Sequence, residues 1–228
     1  MNIKSRFDRF SEAIWFSQES KQVIVGGCGG IGSWLSLFLS RAGFYPFIFD
    51  YDSVEEHNIG GQCFKTTHSG SLKVDAIANV IKDFTGEDAF SIMNEKIDKD
   101  SMTNNYVFSA FDNMKARKDL FENWLENYKG QDNAIFIDGR LLAESYQIFC
   151  VRANDEASIN AYQSEHLFDD SEVEDAPCSL KQTTHMAAMI AANMVGFFTN
   201  YITNTIEGGS VREVPFFHSY FLPINLTA

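Results

Sequence analysis

Gly27, Gly29 and Gly32 stand in G-x-G-x-x-G spacing, and the chain beyond them carries Asp50, Asp52, Asn58, Gln62 and Lys73. Residues of these types suit phosphate and sugar chemistry. Glycines let a backbone turn tightly and approach a phosphate, and a following helix offers free N–H groups and the positive end of its dipole. A carboxylate at the tip of the next strand, here Asp50, meets ribose hydroxyls. A lysine sets a compact positive charge against phosphate oxygens. A glycine signature alone is weak; its flanks give this one its weight.

Those flanks predict the elements that the site requires. Residues 23–25 are apolar and β-branched, as a buried strand needs. Residues 33–42 make an apolar run of helix length, and residues 47–49 a second strand that stops at Asp50. Lys73 opens another helix, with Val74, Ile77, Val80, Ile81 and Phe84 near a 3.6-residue period and Lys73 off that stripe. A lysine at a helix start opposes the dipole, so its bland reading is a solvated side chain. Residues 106–111 predict a strand running into Asp112 and Asn113. Leu120, Phe121, Trp124, Leu125 and Tyr128 then share one helical face. Asp112 therefore lies at a strand's C-terminal end, where open α/β sheets bind ligands, and it also suits a helix N-cap. Arg117 reads as an exposed helix residue.

Residues 134–138 and 146–151 read as strands joined by a turn at Gly139 and Arg140. Residues 155–177 are rich in Asp and Glu and hold no Lys or Arg, which reads as a solvated loop. Residues 181–204 read as a long buried helix and residues 211–226 as a terminal strand. At the other end, residues 1–20 read as an amphipathic helix with arginines on its wet face.

A chain of 228 residues suits one domain, 1–228, and an apolar share of 45% suits a real core. The net charge of −13 argues against a general nucleic-acid surface. Cys28, Cys63, Cys150 and Cys178 form no C-x-x-C pair, so a structural zinc site is not expected. His57 and His185 lack partners at metal spacing. Residues 1–9 do not read as a signal peptide, and the apolar run 186–198 is short for a bilayer. The expectation is a cytoplasmic chain with free thiols and no membrane partner; Cys28 and Cys63 are spectators.

As a set, these residues resemble the ThiF/MoeB/HesA family, adenylating enzymes related to ubiquitin-activating enzyme. The family pattern is a G-x-G-G-x-G loop, then D-x-D-x-V-x-x-x-N-x-x-R-Q, then a Lys in K-V-x-A, then an Asp-Asn pair after a later strand. Here the loop runs from Gly27 to Gly32 and includes Gly30. The acidic segment runs from Asp50 to Gln62, Lys73 stands with Val74 and Ala76, and the pair is Asp112 and Asn113. One position departs, since Gly61 stands where the family has Arg.

The resemblance implies a Rossmann-like α/β fold with a central, mostly parallel sheet flanked by helices. It implies ATP-dependent adenylation of a C-terminal carboxylate, that of a small ubiquitin-like protein or peptide, for transfer to a thiol or amine. In that reading Gly27, Gly29, Gly30 and Gly32 cradle phosphate, Asp50 holds ribose, and Asp52 is a further nucleotide-binding residue. Asn58, Gln62 and Lys73 face the triphosphate, and Asp112 holds Mg²⁺. A homodimer is implied, in which residues 1–20 form an arm carrying Arg9 to the partner's ATP. Residues 155–177 would be a crossover loop above the site. Cys178 falls where some members carry a cysteine that forms a covalent intermediate. Two other readings compete. One is a non-catalytic binding subunit, suggested by Gly61. The other is a nicotinamide-dependent oxidoreductase, which Asp50 fits but which leaves Asn58, Gln62, Lys73 and Asp112 unexplained.

Overall fold

The computed structural model describes residues 5–17, 19–168, 182–206, 211–222 and 226–227. The strands are β1 (Gln22–Gly26), β2 (Tyr45–Phe49), β3 (Ser91–Met93), β4 (Tyr106–Ser109), β5 (Ile135–Leu142), β6 (Ser145–Arg152), β7 (Phe217–Phe221) and β8 (Leu226–Thr227). The helices are α1 (Gly30–Arg41), α2 (Lys73–Thr85), α3 (Met114–Tyr128), α4 (Glu156–Ala161) and α5 (Thr184–Ile206). The strands form one sheet in the order β3-β2-β1-β4-β5-β6-β7-β8. The first five in that order are parallel, and β6, β7 and β8 add on antiparallel. This is the expected α/β architecture. Strand β1 has β2 on one side and β4 on the other, so the strand order reverses beside it. Ligands of open α/β sheets bind at such a reversal, beyond the strands' C-terminal ends.

Alternation along β1 explains why helices cover both faces. Val23 and Val25 point to one face, where Leu35 and Leu39 of α1 and Met186, Ile190, Met194 and Phe198 of α5 bury them. Ile24 points to the other, among Leu120, Phe121 and Trp124 of α3. This is the period of two that a strand imposes. A third cluster joins α2 to β2 and α1 through Ile48, Leu37, Val74, Ile77, Val80 and Ile81. The α2 stripe predicted from periodicity is therefore its buried face, although Phe84 at its end is exposed. Helix α5 is apolar enough to cross a bilayer by length and composition, with mean hydropathy 1.2. Here it packs as a core helix against α1 and the sheet.

Several expectations change. The predicted turn at Gly139 and Arg140 lies inside β5, which continues to Leu142 because β6 pairs with it along its whole length, Gly139 opposite Ile148 and Arg140 opposite Gln147. The chain reverses at Ala143, which has φ 51°. The predicted acidic loop begins instead as helix α4, followed by a π turn at Tyr162–His166. Asp155 caps that helix, and Ile159 and Tyr162 are buried beneath α3. Local packing outweighs the acidic composition there. Strand β3, at the sheet's edge, is too short to have been read from its sequence.

The N-terminal segment is a chain of turns rather than a helix. Phe7, Phe10, Trp15 and Phe16 fold around one another with ring centroids 5.1–5.7 Å apart in their closest pairs. Trp15 then stacks on Phe44 at 5.9 Å. Arg6 donates to Thr85 O at 2.6 Å and pairs with Glu87. These contacts fasten the segment at the C-terminal ends of α1 and α2, on its own subunit.

Candidate active site

Register across the sheet aligns Phe49, Gly26, Ser109 and Asp138 at one level. The residues that follow each of them build the site. After β1 comes the glycine turn. Gly27 has φ +91°, and a Cβ there would lie 2.9 Å from Ala110 O. A Cβ on Gly32 would overlap Gly27 O, so α1 begins pressed against the turn. Over Gly29 the space is open, and a Cβ would meet nothing within 4 Å. The geometry is that of a cradle: closed behind at Gly27 and Gly32, open in front at Gly29, at the N-terminus of a helix.

These contacts make an expected result. Gly32→Ala should cost about 1–3 kcal/mol without any ligand, because backbone must move. Gly29→Ala should cost no more than about 1 kcal/mol, the scale of losing a good N-cap residue. Denaturant unfolding of the two variants checks this; equal losses would mean that the turn is not held tight at Gly32.

Asp50 follows β2. Its Oδ2 accepts the Cys28 N–H at 2.7 Å and its Oδ1 the Asp52 N–H at 2.8 Å. One carboxylate thus holds both the glycine turn, through Oδ2, and the start of the next loop, through Oδ1. Burial raises its pKa, against the pull of Lys73 and these two N–H donors. Lys73, expected to be solvated or phosphate-facing, is buried at the first position of α2. Its Nζ lies 2.8 Å from Asp52 Oδ2, and its backbone N–H donates to Asp52 O at 2.9 Å. Burial opposes its charge, but the Asp52 hydrogen bond and the nearby Asp50 outweigh that, so its pKa is raised. The ammonium keeps its charge at a helix end that does not favour it.

Between Asp52 and Lys73 the chain runs over the first turn of α1. Asn58 is buried; its Oδ1 accepts the Glu55 N–H at 2.9 Å, which leaves its amide hydrogens for a ligand. Ser33 Oγ accepts the Cys63 N–H at 3.0 Å, and Trp34 Nε1 donates to Gly61 O at 3.2 Å. Gln62 is held between these anchors, buried, with Oε1 lacking any hydrogen-bond partner. Gly61 has no positive φ, so only its missing side chain sets it apart.

Asp112 follows β4 and is exposed. Asn113, not Asp112, caps α3, accepting the Ala116 N–H at 2.9 Å. Asn113 Nδ2 also donates to Asp112 Oδ1 at 3.3 Å, so Asp112 is held by its neighbour rather than by the helix end. Among the described residues no three His, Cys, Asp or Glu cluster as a metal cage. A magnesium ion would fit here only as that ion commonly binds, through one carboxylate together with phosphate oxygens.

Arg117, expected on the surface, is buried and pairs with Asp138; Arg140 Nε reaches the same carboxylate at 2.9 Å. Arg117 also donates to Gly139 O at 3.2 Å and to Phe111 O, the residue before Asp112. Sequence reading missed this group because it joins two elements, α3 and β5, through side chains far apart in the chain. Burial lifts the Cys28 pKa well above its usual value, with Asp50 adding to it, and pushes that of Cys63 up to about 11. Arg9 is exposed in the segment fastened at the far end of α1. A helix of this length spans roughly 18 Å, so Arg9 is not brought to the cradle of its own subunit. Cys178 lies outside the described residues, as do residues 169–177 of the predicted crossover loop.

The family model described as "ThiF family" matches residues 6–220. The chain belongs to the ThiF family. Two curated relatives are "Ubiquitin-like modifier-activating enzyme 5" of Bombyx mori, 32% identical over 47% of this chain, and its counterpart in Caenorhabditis elegans, 30% identical over 51%. This ThiF-family chain spans only 33% and 30% of the lengths of those two in the matched regions. Its fold is similar to that of E. coli MccB crystallised with ATP, with TM-score 0.69 and 16% identity over 100% of this chain and 70% of the other.

Proposed function

We propose that this chain is an ATP-dependent adenylyltransferase that activates a C-terminal carboxylate, that of a small ubiquitin-like protein or of a peptide. The observation that carries the reading is Lys73: a buried ammonium, charged by Asp52 and Asp50, beside a glycine cradle that is open at Gly29. The names of the relatives and the ATP of the MccB structure support it. The carboxylate attacks the α-phosphate, pyrophosphate leaves, and the resulting anhydride is open to a thiol or amine. Such a reaction asks the protein to hold two anions together and to neutralise them. The N–H groups of the cradle hold phosphate. Asp50 accepts from the ribose hydroxyls, with Asp52 setting the position of Lys73. Asn58, Gln62 and Lys73 face the triphosphate. Mg²⁺, when bound, would supply further neutralisation, with Asp112 as its carboxylate. ATP–pyrophosphate exchange in the presence of a carboxylate-bearing tail tests the reading. No exchange, with a small protein still bound, would leave a non-catalytic binding subunit; tight NADH binding would favour the oxidoreductase.

The position of Asp50 gives a pH dependence. Its folded pKa exceeds the unfolded one, so its contribution to stability falls as pH rises from the usual carboxylate value through the folded value. Nucleoside binding has the opposite sense, because only the ionised carboxylate accepts two hydroxyls well. Adenosine affinity is expected to drop on acidification from about pH 7 to about pH 4, with a midpoint above that of a free carboxylate. Asp50→Asn should flatten the profile; a titration that is equally steep in both proteins would assign it to another group.

We also propose a homodimer in which Arg9 serves the partner's site. The arm's attachment far from its own cradle supports this, and closed two-fold dimers are the commonest oligomers. Arg9→Ala and Lys73→Ala chains, each weakened alone, should regain exchange activity when mixed, since one hybrid site keeps both residues. A monomer in light scattering at micromolar concentration would remove any role in trans.

A further inference from the structure

Gln182 enters the phosphate site from a part of the chain that the glycine signature does not include. Its backbone is fixed just before α5. It bridges to Ala143 at the β5–β6 turn, Thr183 Oγ1 lies 3.5 Å from Ala143 O, and Thr184 Oγ1 donates to Gly60 O. From there the side chain reaches over two glycines. A Cβ on Gly30 would land on Gln182 Oε1, and a Cβ on Gly61 would lie 2.8 Å from Gln182 Nε2. Both glycines leave the room that this one amide fills. No described residue hydrogen-bonds to that amide. The neighbouring position, Gly29, is open. Consecutive Cα atoms lie about 3.8 Å apart, so a phosphate seated over Gly29 comes within reach of a side chain lying over Gly30.

We propose that Gln182 is a phosphate-binding residue of this site, donating its Nε2–H to the triphosphate from above Gly61, with a turn of the terminal amide that takes Oε1 away from its place over Gly30. The inference rests on the adenylyltransferase reading, since it needs a nucleotide in the cradle. It accounts for Gly61: the side-chain space there is taken by a neutral amide from across the fold. It also ties the start of α5 to the phosphate through the Thr184–Gly60 bond. A neutral amide gives directionality without charge, so the phosphate's charge falls to Lys73 and the helix end.

The test compares ATP with adenosine, which shares every contact except those to phosphate. Affinities are measured calorimetrically for the wild type, Gln182→Ala and Gln182→Glu, with unfolding curves to verify that each is folded. Removing a donor to a charged group should weaken ATP binding by about 10-fold or more and leave adenosine unchanged. Gln182→Glu should weaken ATP further, by repulsion, again sparing adenosine. Gly61→Arg in the Gln182→Ala background should recover ATP affinity, because the vacated space admits a cation; in the wild type the two side chains compete for it. Three results would overturn the proposal. Equal losses for ATP and adenosine would mean a packing role. Tighter ATP binding in Gln182→Ala would mean that the amide obstructs the cradle. ATP affinity equal to the wild type's in Gln182→Ala would mean no contact. If the wild type binds neither ligand, the nucleotide reading itself fails, a result distinct from all three.

Discussion

Lys73→Ala is expected to lower ATP–pyrophosphate exchange by about 10²-fold or more, the usual scale for losing one preorganised group that stabilises developing charge. The expectation follows from burial and pairing together. The Lys73 side chain is 11% exposed, and its ammonium lies against Asp52 with Asp50 close by. Without it, two carboxylates face an incoming triphosphate unopposed. The effect also reaches Asp50, which Lys73 holds toward ionisation against its burial. A less ionised Asp50 is a poorer acceptor for ribose. Lys73→Met separates charge from packing, because it keeps an apolar stem in the same channel. The methionine variant should unfold close to wild type yet be as inactive as the alanine variant. Exchange within a few-fold of wild type in either would remove Lys73 from the catalytic machinery.

Asp138→Ala should have the largest effect on stability, about 3–5 kcal/mol, the scale on which breaking a buried ion pair leaves an uncompensated charge. Asp138 is fully buried and meets two guanidinium groups, of which Arg117 has a side chain only 5% exposed. Removing the carboxylate strands both. Asp138→Asn, which keeps an acceptor oxygen, should lose less. Urea unfolding checks both, with unchanged slopes needed for the midpoints to be read as stability. A loss under about 1 kcal/mol in Asp138→Ala would mean that water or a shift of Arg117 relieves the charge. Because Arg117 also holds Phe111 O, Asp138→Ala should displace the turn that carries Asp112.

What could be read from the sequence was local. The glycine turn, Asp50 and Asp112 lie next to the strands that carry them, so their places at strand ends could be read from spacing, while the roles assigned to them came from the resemblance; periodicity set Lys73 off the apolar stripe and did not show its burial against Asp52. Gln182 and the Arg117–Asp138–Arg140 group could not be read that way. Their contacts join residues far apart in the chain; Arg117 does fall on the stripe of Leu120, Phe121 and Trp124, three, four and seven residues before them, but its charge reads as surface and its partner Asp138 lies on another element. Gly139 and Arg140 misled for a related reason. The pair looks like a turn, but pairing with β6 holds it extended. In the N-terminal segment, four aromatic rings found one another in turns where a helix would have spread them around its axis.

Strand β1 sits between a neighbour close in sequence, β2, and a distant one, β4. The cradle is shaped by the second. The Ala110 N–H donates to Gly26 O at 2.8 Å, and Gly27 bends against Ala110 O. A growing chain that has emerged only as far as α2 therefore carries the glycine signature, Asp50 and Lys73 with nothing to close the turn from behind. Long-range strand pairing comes late because loop closure must precede it. Nucleotide binding should therefore be acquired late in folding, and ATP would act as a brace on the finished sheet rather than as a nucleus for it.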